Sequence, residues 1–241
     1  MVQTIKANRL TGAQLEELRQ LSTCVTASAI ETFGVRMHNA GFANSSIGCI
    51  FEELPPVVGY AATARIRCTN PPMDKRGYSY YDRPDWWNEI LTIPAPRIVV
   101  IEDLDEPAGL GAFVGAVHAA ILQALGCVAV VTNGSVRDVT DIRPTGFQLF
   151  ASNIAVSHAY SHAFDFGSTV HVGGLQISPG ELIQGDVHGV QTIPLEIAEK
   201  VPAKARDILK RRKRLMDVCR SHEFSLEKLQ QVIKQEEETN V

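Results

Sequence analysis

Apolar residues recur at helical spacing over residues 10–21, and Thr11 with Gln14 three positions later reads as an N-terminal capping pair. Residues 22–33 continue as a second helical stretch that Gly34 stops. Pro55 and Pro56 break the chain, after which residues 57–68, rich in Val, Tyr, Ala and Ile, suit a strand. Residues 69–87 turn to Pro, Gly, Asp and Tyr and predict a long loop serving function or an interface. Ile98, Val99, Val100 and Ile101 form an unbroken apolar run ending in Glu102 and Asp103, the pattern of a strand covered on both faces. A Gly-containing turn at residues 108–111 leads into residues 112–125, Ala-rich and read as a helix that Gly126 ends, before the apolar strand 127–136. Strand, helix, strand predicts a right-handed crossover between parallel strands, with ligands at their carboxyl ends.

Beyond this unit the apolar segments shorten. Residues 146–151, 169–177 (broken by Gly173 and Gly174), 181–183 and 190–193 predict a small β-rich layer punctuated by Gly and Pro. Pro194 reads as the first residue of a helix carrying Leu195 to Ala198 onward. The basic run at residues 210–214 is a solvated helix face or a contact for an anionic partner, and Ser225 opens a last amphipathic helix.

Composition narrows the class. A chain of 241 residues with 45% hydrophobic and 21% charged positions can bury one sizeable core, or two small ones sharing an interface. A formal net charge of -4 gives no broad cationic surface, so DNA is not an expected partner. Its five cysteines are odd in number, widely separated and without zinc-site spacing, as in a reducing compartment. No run approaches the roughly 20 apolar residues that span a bilayer. The expected location is therefore the cytoplasm, with no membrane partner.

Chemistry is concentrated where strand 127–136 meets Arg137 and Asp138. A guanidinium beside a carboxylate at a rigid strand end can grip an anionic substrate and a divalent cation together, although the same pair can also close a turn. Val136-Arg137-Asp138, Ile142 and the run Gly146-Phe147-Gln148-Leu149-Phe150-Ala151 look like a VRD…GFPVFA block. The stretch 172–183 resembles GGV.V.PGDLV, residues 185–190 resemble GD..GV, and residues 22–30 resemble an ST...DAL element. Together these blocks resemble the family shared by 4-hydroxy-4-methyl-2-oxoglutarate aldolases and the regulator of ribonuclease activity A. The resemblance covers roughly residues 21–201.

That resemblance implies an RraA-like layered α/β sandwich, with a β-rich core and flanking helices over residues 1–201 and a C-terminal helical extension over 202–241. It implies a homotrimer or hexamer with sites at subunit boundaries, and a ribonuclease as a partner in the regulator members. By the aldolases' pattern Arg137 binds a substrate carboxylate, Asp138 binds Mg or Mn, and the helix start at Gly115, Ala116, Val117 and His118 contacts pyruvate. Ala116 departs from the pattern, since the family usually carries an acid there that holds the metal's waters; loss of such a support commonly costs ~10–100-fold in affinity or activity. Ser28 is a second departure, standing where the early element has Asp.

His118 could compensate for Ala116 or be a satisfied histidine inside its helix. His158 and His162 share a face if their segment is helical, replacing the family's ARG..P loop, whereas His171 and His188 are structural. Trp86 and Trp87 near Tyr78, Tyr80 and Tyr81 form an aromatic lid or pack in an interface. The expected function is a metal-dependent carbon–carbon lyase releasing pyruvate, by retro-aldol cleavage of 4-hydroxy-4-methyl-2-oxoglutarate-like substrates or by oxaloacetate decarboxylation. The alternative is a non-catalytic regulatory or scaffold oligomer. No glycine-rich nucleotide loop supports methyl transfer.

Overall fold

The computed structural model describes residues 9–73 and 84–238. Helix α1 (Gly12–Arg19) begins with the expected reciprocal cap: the Thr11 side chain accepts from the Gln14 amide, and the Gln14 side chain accepts from the Thr11 amide. Helix α2 (Thr23–Glu31) follows with Ser22 as its N-cap and buries Val25, Thr26, Ala29 and Ile30.

The remaining elements are β1 (Gly48–Cys49), β2 (Val57–Arg67), α3 (Pro84–Thr92), β3 (Arg97–Asp103), β4 (Ala112–Val114), α4 (Ala116–Ala124), β5 (Cys127–Val136), α5 (Val139–Ile142), β6 (Gln148–Ile154), β7 (His162–Phe166), β8 (Val170–Val172), β9 (Leu175–Ile177), β10 (Leu182–Asp186), β11 (Gly189–Ile193), α6 (Val201–Arg220) and α7 (Leu226–Glu238). Among the described residues, nine strands form one mixed sheet in the order β1-β6-β5-β3-β2-β10-β11, with β4 joined to β5 and β7 to β2. Strands β2, β3, β5 and β6 run parallel, the β3–β5 pair being the one the crossover pattern predicts, while β10 lies antiparallel to β2.

Strand alternation divides the buried residues between two cores. On β3, Val99 and Ile101 enter the core shared with α1, α2, α4 and the first turn of α6, whereas Ile98 and Val100 enter a second core under the β8–β9 hairpin. On β5, Val130 faces the first core while Ala129 and Val131 face the second. This two-sided burial is why these segments read as unbroken apolar runs.

Several expectations need correcting. The helix expected over 112–125 starts only at Ala116, because Ala112 and Val114 pair with the end of β5 as β4. Residues 84–92 of the expected loop form α3, whose Trp86 is 1% exposed in the first core; Tyr78, Tyr80 and Tyr81 lie outside the described residues. The helix expected at Pro194 begins at Val201 instead, with Pro202 in its first turn. Residues 158–162 are not helical: His158 precedes a turn at Ala159 and Tyr160 and His162 starts β7, so their i,i+4 spacing puts them on no common helical face. The expected small β layer is divided, with β6, β10 and β11 in the main sheet and only β8–β9 separate.

Asp186 joins two segments 163 residues apart in sequence. Its Oδ2 accepts from the Thr23 amide at 2.8 Å, and its Oδ1 accepts from the Thr23 hydroxyl at 2.6 Å and the His188 amide at 2.9 Å. Burial pushes this carboxyl up, but the Thr23 and His188 donors more than offset that, holding it below the ordinary carboxylate value. A folded-state value below the unfolded one stabilises the protein above about pH 4, and that contribution is lost as pH falls through the folded value. Asp186→Asn, which turns one acceptor into a donor facing donors, is expected to cost about 1–3 kcal/mol at pH 7. Urea unfolding at pH 7 and pH 3 should show the gap from wild type narrowing at the lower pH; an unchanged gap would refute this role.

Candidate functional site

Strand β5 ends where β4 pairs beside it, bringing the start of α4 against the residues that follow β5. Gly115 is the N-cap of α4 and lies in extended backbone. The Ala116 amide donates to Asp138 Oδ2 at 3.1 Å, and Arg137 Nε donates to Asp138 Oδ1 at 3.1 Å. The sequence-predicted Gly115, Ala116, Arg137 and Asp138 therefore form one cluster. Val117 lies in the first turn of α4 with its side chain exposed.

Asp138 has φ 55° and ψ 34°, a left-handed conformation that costs a non-glycine residue about 1 kcal/mol or more. The strained residue serves as N-cap of the one-turn α5 while presenting its carboxylate to α4. Side-chain exposures of 33% for Arg137 and 31% for Asp138 leave both reachable from solvent. Partial burial raises the Asp138 carboxyl, but the Ala116 amide and the Arg137 guanidinium more than offset this and hold it below the ordinary carboxylate value. It is a carboxylate at neutral pH. A single ionised carboxylate open to solvent could hold a divalent cation that keeps most of its waters.

The side chain of His118 belongs elsewhere. It is 2% exposed, its ring stacks on Phe113 at a centroid distance of 4.9 Å, and its Nδ1 donates to the Phe113 carbonyl at 2.8 Å. Trp87 of α3 meets the same ring edge-on at 5.9 Å. His118 thus contributes only its backbone to the helix start, and its side chain does not replace the missing acid at Ala116. His158 and His162 bond their Nδ1 atoms to nearby carbonyls of Ala159 and Tyr160, on the loop that packs over Gly111 ahead of β4.

One cluster was not singled out from sequence. Cys68, Asp103 and Asp105 bring a sulfur and two carboxylate oxygens within 4.8 Å of one another at the carboxyl ends of β2 and β3. Asp103 accepts from the Asp105 and Gly109 amides, and Asp105 accepts from the Cys68 and Thr69 amides. Burial pushes the Cys68 thiol up to about 11, which disfavours the thiolate a metal would need. These ligand atoms could approach a cation, but their hydrogen bonds tie the loop before β4 in place. Glu102 and Asp103 at the end of an apolar run were the available sequence signal.

An Aldolase/RraA sequence family described as RraA-like matches residues 23–191, and the chain belongs to this family. An uncharacterised protein of Methanocaldococcus jannaschii is 27% identical over 136 residues, 55% of this chain and 65% of that protein. A proposed 4-hydroxy-4-methyl-2-oxoglutarate aldolase of Halalkalibacterium halodurans is 29% identical over 85 residues, 35% of this chain and 40% of its own. The matches thus span less than two thirds of these curated relatives. The structure of Streptomyces coelicolor RraAS2, described as an unusual member of the RNase ES inhibitor RraA family, shares the fold. Its TM-score is 0.66 at 17% identity, over 85% of this chain and 96% of that one. Among the described residues no helix is long and apolar enough to cross a membrane.

A Cβ at Gly115 would lie 2.5 Å from Asp138 Oδ2 and 3.1 Å from Arg137 Cγ, so only glycine lets α4 approach this closely. Gly115→Ala is expected to displace the Asp138 carboxylate and cost roughly 1–3 kcal/mol. Urea denaturation measures this; a loss under about 0.5 kcal/mol would contradict the close-approach argument.

Proposed function

We propose that this protein is a divalent-metal-dependent carbon–carbon lyase acting on short 2-oxo acids. It would release pyruvate by retro-aldol cleavage of a 4-hydroxy-4-methyl-2-oxoglutarate-like substrate, by decarboxylation of oxaloacetate, or both. The observation that carries this reading is the ionised Asp138, held in a strained conformation between Arg137 and the Ala116 amide. Membership of a family that includes aldolases supports it.

Asp138 would hold Mg or Mn. When bound, that ion supplies Lewis-acid stabilisation of the negative charge that develops on the pyruvate oxygen. Arg137 commits its Nε to Asp138, leaving the terminal nitrogens of its planar fork to orient the substrate carboxylate. The positive end of α4, at the amides of Gly115, Ala116, Val117 and His118, adds attraction for the same anion. With Ala116 carrying only a methyl group, the ion's waters would lack a carboxylate on that wall.

Leu110, Val117, Ile154, Val156, Tyr160 and Phe164 are exposed apolar residues on segments at the carboxyl end of the parallel strands. They support assembly into a homotrimer or hexamer with the site near subunit boundaries. Sedimentation equilibrium is expected to return a trimeric or hexameric mass, and a monomer at micromolar concentration would remove this part of the proposal.

A second reading, a non-catalytic regulator that binds a ribonuclease, is favoured by Ala116 and by the family's regulator members. Pyruvate release from oxaloacetate and from 4-hydroxy-4-methyl-2-oxoglutarate, with Mg or Mn and with chelator, separates the two. Asp138→Asn keeps a residue type that tolerates the left-handed conformation, yet is expected to lower metal-dependent release by roughly 100-fold or more. Equal rates for wild type and variant would sink the lyase reading and leave the regulator.

A further inference from the structure

Helix α6 is the charge outlier of the chain. Residues 201–220 carry eight Lys and Arg against two Asp, whereas the other 221 residues carry fifteen against twenty-five Asp and Glu. The net charge of -4 excludes a broad cationic surface but leaves room for a narrow one on an otherwise acidic molecule. This helix lies outside residues 23–191, so membership of the family gives it no role. It packs against α1, α2 and α7, none of which carries a residue of the Asp138 cluster, and its chemistry is independent of the lyase proposal.

Burial shows which side of α6 faces the protein. Val201 and Ala205 enter the first core, Ile208 packs against it, and Leu215 and Val218 continue that side half-buried. The opposite side is charged. At 3.6 residues per turn, Arg206, Lys210, Lys213, Arg214 and Arg220 fall within about 120° of the helix circumference, in a stripe about 21 Å long. All five are exposed. Asp217 lies within the stripe, Asp207 stands 3.9 Å from Lys210 Nζ, and Glu17 stands 3.1 Å from Arg206 Nη1. Both ion pairs are more than half exposed, so they hold these cations weakly and yield to a stronger anion. Arg212, on the flank toward α2, donates to the neutral Ser28 Oγ at 2.8 Å, a contact that leaves its charge in place.

We propose that this stripe binds the phosphate backbone of a single-stranded nucleic acid. Guanidinium and ammonium groups neutralise phosphates and release their condensed counterions, and affinity of this kind needs no apolar pocket. A protein partner is held by buried apolar or aromatic anchors near the centre of the contact; the stripe has none there, with Leu209 and Met216 only at its margin. A bilayer takes up the apolar face of a helix, and that face of α6 is turned inward. A stiff duplex would carry its charge past the helix and against the acidic remainder of the molecule, whereas a flexible strand follows the stripe alone.

Fluorescence anisotropy with the full chain tests this, using labelled oligouridylate and oligothymidylate strands over roughly 50 to 200 mM salt. Both strands are expected to bind, as backbone recognition requires. The logarithm of the affinity should fall with the logarithm of salt concentration at a slope of about -2 to -3, the value for three or four phosphates at roughly 0.7 each. Changing Lys210, Lys213 and Arg214 together to Gln is expected to weaken binding about tenfold or more and to flatten the slope by about 2. Circular dichroism checks the fold, and Lys213→Glu alone serves as a second variant if the triple one unfolds. Absence of binding, or an affinity and slope unchanged in a folded variant, would overturn the proposal. So would polyglutamate or phosphatidylserine vesicles that displace the strand as well as unlabelled strand does at equal charge. Salt-sensitive self-association that the variant loses, without strand binding, would assign the stripe to a second copy of the chain instead.

Discussion

The central parallel strands are covered on both faces, and this constraint decides where charge can stand in the molecule. Along β5, Val130 points into one core and Ala129 and Val131 into the other, with every one of them at most 1% exposed. An ionised side chain in that stretch would need a buried partner or would carry a large desolvation cost. Charge is therefore deferred to the strand ends: Asp103 closes β3, while Arg137 and Asp138 follow β5. The end of β5 is held on both sides, by β4 and by β6. A strand end that first becomes charged beside the start of α4 is a natural place for a site.

The features legible in the sequence follow from that constraint. Unbroken apolar runs at 98–101 and 127–131 exist because both faces are buried, so the parallel unit and the charged pair at its end could be read directly. The Thr11 and Gln14 cap was readable because its partners are three residues apart. What escaped depended on distant partners. Ala112 to Val114 adjoins the Ala-rich helix and is too short to stand out from it, and its pairing with Ser135 and Val136 makes it strand. Pro194 reads as a helix opening, but the burial of Val201, Pro202 and Ala205 marks where α6 begins. His158 and His162 have helical spacing, but residues 162–166 pair with β2.

The site shows the same division between local and distant information. Arg137 and Asp138 are visible as a pair, but nothing local says that the Ala116 amide reaches Asp138 from 22 positions away. Reading Ala116 by its side chain finds only a missing acid. Its backbone still holds the carboxylate, and Gly115 makes that approach possible by presenting no Cβ to Asp138. On the proposed reading, an acid here would add only support for the waters of a bound ion. His118 could not take over with its side chain, because that ring fills a slot between Phe113 and Trp87 in the first core.

The strain at Asp138 bears on the choice between enzyme and regulator. A left-handed non-glycine residue persists only when its surroundings over-determine it. Here the turn into α5 could be made by glycine with less strain, and burial does not explain the aspartate, whose side chain remains 31% exposed. The two hydrogen bonds to its carboxylate hold it in one orientation but return little stability, since an exposed ion pair with Arg137 contributes about 1 kcal/mol or less. A scaffold that used this surface only for docking would gain little from holding a carboxylate so. A catalytic site of the kind proposed, presenting an ionised carboxylate beside a guanidinium and a helix N-terminus, would gain the orientation itself, and that is how the strained aspartate supports the lyase proposal.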